Sequence, residues 1–289
     1  MELIDKLKER FSKSPEYFTQ VSGNDERWKT FIRQYPAEQL TQLTIDDYCL
    51  GKDSKSENFS WWIERGLKEA LGRYMPGTAR GHLLYRVRDG GIYKNRLLEG
   101  LSDDEALAYV LKVSQLIAQA LNLKEAEQFD SDGFIYQALD VEPRVTMGDA
   151  RKLRIFLAYH PDSMVAINSP AHIAHFLRLF GKDDTEIAAG PFARAQQLWE
   201  IYKNVQSVMP ELTPWGFAAL LYDDELGLQP DSRWNETSTT GGDEVVDLEN
   251  LHRNLILYGP PGTGKTYRTI NRAVEILDPV FYRQYKQDR

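Results

Sequence analysis

The octet Gly259-Pro260-Pro261-Gly262-Thr263-Gly264-Lys265-Thr266 constrains this chain more than any other stretch. It fits the phosphate-loop pattern of two glycines four residues apart followed by Lys and Ser or Thr. The glycines let the backbone curl round an anion so that successive N–H groups point inward. The pattern also requires an apolar strand before it and a helix after it. Leu255-Ile-Leu-Tyr258 reads as that strand, and Ile270, Ala273, Val274 and Leu277 fall on one face of the following helix, which Asp278-Pro279 ends. Such a helix turns its unpaired N–H groups and the positive end of its dipole toward the phosphates. Lys265 is placed to reach the β- and γ-phosphates, and the Thr266 hydroxyl to bind Mg²⁺, so the cofactor expected is ATP or GTP with Mg. Tyr267–Arg289 holds no strand that delivers a Walker-B carboxylate and no residue to position water. The expectation is a fragment of a longer motor, or a truncated gene product, that binds nucleotide without turnover.

Upstream of the octet the chain reads as helical. Asn24 is a candidate cap for a helix carrying Trp28, Phe31, Ile32 and Tyr35, and Pro36 ends it. A second helix is expected from about Glu57 to Leu71, with Phe59, Trp62, Ile63, Leu67 and Ala70 on one face. Leu83–Val87 and Ile92-Tyr93 flank Asp89-Gly90-Gly91 as a hairpin. Ser102-Asp-Asp-Glu105 is a capping box, and the helix it opens carries Leu107, Val110, Leu111, Ile117, Ala118 and Leu121, with Ser114 interrupting the stripe. Ser169-Pro170 opens another helix that Gly181 stops; a longer one spans about Pro191–Val208, and Thr213-Pro214 begins a short one. Leu228–Asp243, polar and rich in Thr and Gly, reads as a linker.

The 289 residues carry a formal charge of -8, so any contact with DNA has to come from a local basic patch. The basic concentration lies between Arg65 and Arg96: Arg65, Lys68, Arg73, Arg80, Arg86, Arg88, Lys94 and Arg96, opposed by Glu69 and Asp89 and interleaved with Tyr74, Tyr85 and Tyr93. Arg73, Arg80, Arg86, Arg88, Lys94 and Arg96 are the candidate DNA contacts, cations to track phosphates and tyrosines to stack a base. The bland alternative is a solvated sheet edge whose charges discourage strand pairing.

Other features read as structural. Trp61 and Trp62 are adjacent and cannot face one core from one helix face; either both pack on a helix that lies between layers, or one is a stacking platform or the wall of an aromatic cage. His172 and His175 share a helix face without a carboxylate or thiol to complete a metal site. His82 reads as a satisfied surface residue, and Asp130, Asp132, Asp140 and Glu142 as a solvated loop without the spacing of a nuclease. Cys49, the single cysteine, reads as a small buried residue, and one thiol makes no disulfide framework, which points to the cytoplasm. No stretch is long and apolar enough for a membrane span or a signal peptide.

The string NLILYGPPGTGKTYRTINRAVEILDP, Asn254 to Pro279, resembles the P-loop of the McrB-like AAA+ NTPases, the motor subunits of modification-dependent restriction systems. Leu43–Tyr48, Phe59–Gly72 and the hairpin resemble regions found ahead of such motors, and Met147–Leu226 does so more loosely. The resemblance implies an α+β fold, mainly helical with a small β-hairpin element, followed by the start of a P-loop AAA+ α/β module. It implies an N-terminal DNA-recognition domain at 1–146, a helical subdomain at 147–226, a linker at 227–247 and a truncated NTPase module at 248–289. It implies a homo-oligomeric ring in the full-length parent, a DNA partner, modified or unmodified, an endonuclease subunit that cuts, and a role in antiviral defence. The readings set against it are an AAA+ remodelling ATPase with a protein-binding N-terminal domain, and a non-functional remnant.

Overall fold

The computed structural model describes residues 2–74, 79–87, 89–95, 98–131 and 147–230. The phosphate loop, the strand and helix expected around it, most of the linker, Arg88, Arg96, Asp132, Asp140 and Glu142 lie outside the described residues. What is described is mainly helical with one two-stranded antiparallel hairpin.

The first helices are α1 (Glu2–Lys13), α2 (Pro15–Phe18) and α3 (Glu26–Gln34). Asp25, not Asn24, caps α3: its carboxylate accepts the Trp28 N–H at 2.9 Å, while Asn24 closes a preceding 3₁₀ turn. A charged acceptor at a helix N-terminus also meets the positive end of the dipole, which favours Asp25. Phe31 is fully buried and Trp28 and Ile32 pack partly against the core, as the spacing predicts. The short α4 (Ile45–Tyr48) carries its own capping box, Thr44 with Asp47.

The helix expected over 57–71 is broken into three parts: α5 (Phe59–Trp61), a π turn at Trp62–Gly66, and α6 (Lys68–Leu71). Asn58 caps it, accepting the Trp61 N–H at 2.9 Å while its amide donates to Cys49 O and Lys55 O. The Leu67 N–H reaches back five residues to Trp62 O at 3.1 Å. Two arginines take carbonyls in this wide turn: Arg154 Nε donates to Ile63 O at 2.9 Å and Arg27 Nε to Gly66 O at 3.2 Å. Gly66 is required, because a Cβ there would strike the Trp61 and Trp62 rings.

Strands β1 (Leu84–Arg86) and β2 (Ile92–Lys94) pair as Leu84 with Lys94, Tyr85 with Tyr93 and Arg86 with Ile92. Gly90 turns the hairpin at φ +91°. Leu50–Lys52 lines the other side of β1, Arg86 N–H donating to Leu50 O at 2.8 Å.

The 17-residue α7 (Asp103–Gln119) starts at the expected capping box, and Leu107, Val110, Leu111, Ile117 and Ala118 are buried. Ser114 is satisfied by donating to Val110 O one turn back. Leu121 does not continue the stripe; the helix ends two residues earlier and Leu121 is 75% exposed. After α8 (Leu123–Ala126) comes α9 (Asp149–Tyr159), buried on nearly every side. Then follow α10 (Pro170–Leu179), α11 (Pro191–Gln206) and α12 (Pro214–Leu221). Gly181 stops α10 at φ +91°, with Lys182 N–H returning to Leu177 O and Gly181 N–H to Arg178 O, the double bond of a Schellman ending.

The described residues of segments 1–146 and 147–226, expected as two domains, contribute to one core that runs from Leu7 to Leu221. The reason is α9: placed just after the expected boundary, it packs against α7 and the π turn on one hand and α11 on the other.

Candidate functional sites

The basic segment is laid out by the hairpin. Residues directly opposite in an antiparallel pair share a face, and neighbours along a strand alternate. Arg86 and Lys94 therefore lie on the face of buried Leu84, with Tyr85 and Tyr93 on the other. Arg86 pairs with Asp46 of α4, and Lys94 with Asp103 of α7 at 2.8 Å, while also donating to Leu101 O at 2.7 Å. Arg65 bonds Glu64 at 3.0 Å, Lys68 lies 3.3 Å from Glu69, and Arg73 is exposed. Arg80 sits in the 3₁₀ turn Ala79–His82. The cations that sequence groups into one patch are thus, where their side chains are described, mostly engaged by carboxylates from four different elements. The Arg65 and Lys68 pairs are exposed and worth about 0–1 kcal/mol, whereas the Arg86 and Lys94 side chains are mostly covered.

Beneath the hairpin lies a buried polar cluster that the sequence does not announce. Arg151 and Arg154 stand one turn apart on α9, both buried, Arg154 completely. Besides Ile63 O, Arg154 donates to Leu71 O and Gly72 O at 3.2 and 3.1 Å, closing the C-terminal end of α6 with a positive charge. Its guanidinium also lies over the Tyr74 ring, and burial pulls it down to about 10, still charged at neutral pH. Arg151 donates to the Tyr48 hydroxyl at 2.6 Å and to His82 Nδ1 at 3.0 Å. Tyr48 in turn donates to His82 O at 2.8 Å, and burial pushes its hydroxyl up to about 12. The second ring nitrogen of His82, Nε2, meets Glu64 Oε2 at 2.7 Å.

A guanidinium only donates, so His82 Nδ1 must accept, and the ring proton sits on Nε2 and points to Glu64. The hydrogen bond from His82, then that from Arg65, holds the Glu64 carboxyl below the usual carboxylate range, while burial draws His82 below the usual imidazole range. Expected at the surface, His82 is 1% exposed. The signal that would have found it is its place between a Gly-rich break and an apolar strand, where the chain turns inward.

The remaining candidates resolve as follows. Trp62 is buried and Trp61 partly so, their rings perpendicular at 5.4 Å, and the Arg27 guanidinium covers both. His172 Nδ1 lies 2.6 Å from the Tyr222 hydroxyl and His175 donates through Nε2 to Leu228 O, so each imidazole has a protein partner. Among the described residues no three His, Cys, Asp or Glu converge as metal ligands. Cys49 is fully buried, and burial pushes its thiol up to about 12. Asp130 is not a solvated loop residue: it receives the Phe192 and Ala193 N–H groups at 2.7 and 2.9 Å, capping α11 from 60 residues away in the chain, and burial raises it above the usual carboxylate range. No described helix is long and apolar enough to cross a membrane.

Comparison with protein-family models, with curated proteins and with solved structures finds no match for this chain.

Proposed function

We propose that the chain is a nucleotide-binding subunit of a McrB-like AAA+ restriction system, in which Gly259–Thr266 bind ATP or GTP with Mg and the N-terminal region contacts DNA. The octet and its continuation, Tyr267–Pro279, carry this reading. A glycine-rich loop between an apolar strand pattern and an amphipathic helix pattern has one well-understood use, the cradling of a nucleotide's phosphates. Lys265 supplies the charge on the β- and γ-phosphates and Thr266 the metal-bound hydroxyl. Cutting belongs to a partner endonuclease in this scheme, consistent with the lack of a nuclease pattern in the sequence. DNA contact is assigned to Arg73, Arg80, Arg86, Arg88, Lys94 and Arg96, of which Arg86 and Lys94 would exchange a carboxylate for a phosphate.

The test is titration of a fluorescent ATP or GTP analogue into the full chain with Mg. Lys265→Ala is expected to weaken binding at least tenfold, the loss of one charge-assisted contact of about 1.5–3 kcal/mol. Equal affinity of parent and variant removes the phosphate-binding role.

A second reading has one observation in its favour. The described basic side chains are shared out among Asp46, Glu64, Glu69 and Asp103 and do not converge. That distribution suits an AAA+ remodelling ATPase whose N-terminal domain binds protein. Anisotropy of unmodified and cytosine-methylated duplexes with the full chain at two salt concentrations separates the two. Salt-sensitive binding supports the restriction motor, and none at low salt supports the protein-binding domain.

A further inference from the structure

The turn that leads into the hairpin is fastened to α9 by Arg151, which meets the His82 ring at 3.0 Å and donates more weakly to Gly81 O at 3.5 Å. His82 accepts from Arg151 Nη1 at 3.0 Å on one side and donates to Glu64 Oε2 at 2.7 Å on the other. Its backbone carbonyl takes the Tyr48 hydroxyl, and that hydroxyl takes Arg151 Nη2. The next residue, Leu83, is buried at φ +67°. A leucine holds that left-handed conformation only when its surroundings impose it. β1 begins immediately after it.

We propose that His82 is a proton-operated latch: neutral, it seats the hairpin on α9, and protonated, it lets the Ala79–His82 turn and the hairpin lift away.

A proton on Nδ1 would point an N–H at the N–H of Arg151, removing the hydrogen bond and setting two cations 3.0 Å apart. The charged and titratable groups facing the ring are Glu64 and Arg65 from the π turn, Arg151 from α9 and Tyr48 from α4. Tyr48 stays neutral throughout the range concerned. Glu64 stays ionised and attracts the imidazolium, but it is shared with Arg65. Burial outweighs that attraction, so the seated histidine binds a proton less readily than a released one. The sign follows: above the ordinary histidine value of about 6.5 the latch contributes its full stability, and below it the open form gains. Strain at Leu83 favours the same opening. The latch concerns the seating of the hairpin and stands whether or not the hairpin touches DNA.

Hydrogen exchange of the full chain between pH 7.5 and pH 5 tests it, read as protection factors at Arg86, Val87 and Asn95, whose N–H groups bond within and beside the hairpin. Protection there is expected to fall by up to about tenfold per pH unit below 6.5, and His82→Gln, which cannot titrate, to flatten that dependence. His160 also titrates below its ordinary value because it is buried, but it bonds Ala118 O away from the hairpin and is retained in the variant, so the difference isolates His82. Equal hairpin protection at pH 7.5 and 5 in the parent, or an unchanged pH dependence in His82→Gln, overturns the latch. Should the variant not fold, the imidazole resonances of the parent decide: a His82 titrating at or above the ordinary value overturns it, and one titrating below supports it.

Discussion

The two sides of α9 are held by different physics. Toward α11 the ring contact is apolar: Phe156 meets the edge of Phe192 with centroids 5.7 Å apart, and Leu198 of α11 belongs to the same buried core. Toward α4, the π turn and the hairpin, the same helix presents Arg151 and Arg154. The apolar side gains free energy from area removed from water and asks little of direction. The polar side gains little net energy, because every buried donor and acceptor has to recover what it lost in leaving water. Arg151 Nε and Arg154 Nη2 find no hydrogen-bond partner, so that recovery is incomplete. What the polar side supplies is direction: four carbonyls, one imidazole and one hydroxyl fix where the π turn and hairpin lie. Stability and specification are thus separated on the two faces of one helix.

The largest effect expected from this division is on the apolar side. Phe192→Ala removes a fully buried ring and should cost about 3–5 kcal/mol, read from the urea midpoint at constant slope. A loss below about 1 kcal/mol would mean that the layer repacks and is not where stability resides. Next is Arg154→Met, which keeps the stem but leaves Ile63 O, Leu71 O and Gly72 O without their donor. It should cost about 3 kcal/mol. A neutral or stabilising result would break the comparison, for it would mean that the polar side can be replaced by a greasy one without loss of order.

The same division explains what could be read from the chain. Apolar side chains repeat with the period of the element they sit on, so Phe31, the stripe of α7 and that of α10 were legible, as were the Ser102, Ser169 and Thr213 caps, whose chemistry is local in sequence. The hairpin showed itself in Asp89-Gly90-Gly91. The interior of 57–71 did not, because a π turn changes no residue type; only Gly66 between two tryptophans and Lys68 hints at it. Arg151 and Arg154 look like ordinary surface cations in DARKLRIFLAY, since their partners, Tyr48, Ile63, Leu71 and His82, lie some 70 to 100 residues away. Asp130 capping α11 is hidden for the same reason. Nor does composition announce that α9, just after the boundary expected at 146, packs against α7 and the π turn as well as α11. The proposed phosphate loop is the opposite case, because the pattern that suggests it lies within eight consecutive residues.

The smallest change in stability sharpens the contrast at its outer edge, where the hairpin faces solvent. Asp46 is exposed and pairs with Arg86, whose side chain is about four-fifths covered. Asp46→Asn removes the negative partner and should alter stability by about 0–1 kcal/mol, as exposed ion pairs do. Its effect on DNA should be larger than its effect on folding. If Arg86 contacts phosphate, it has to leave Asp46 first, and the carboxylate also repels the phosphate that replaces it. Removing that competitor should tighten binding of a duplex and steepen its salt dependence, since one more cation is available to displace counterions. An unchanged affinity and slope would take Arg86 out of the DNA face and leave its pairing with Asp46 as part of the frame that holds β1 against α4.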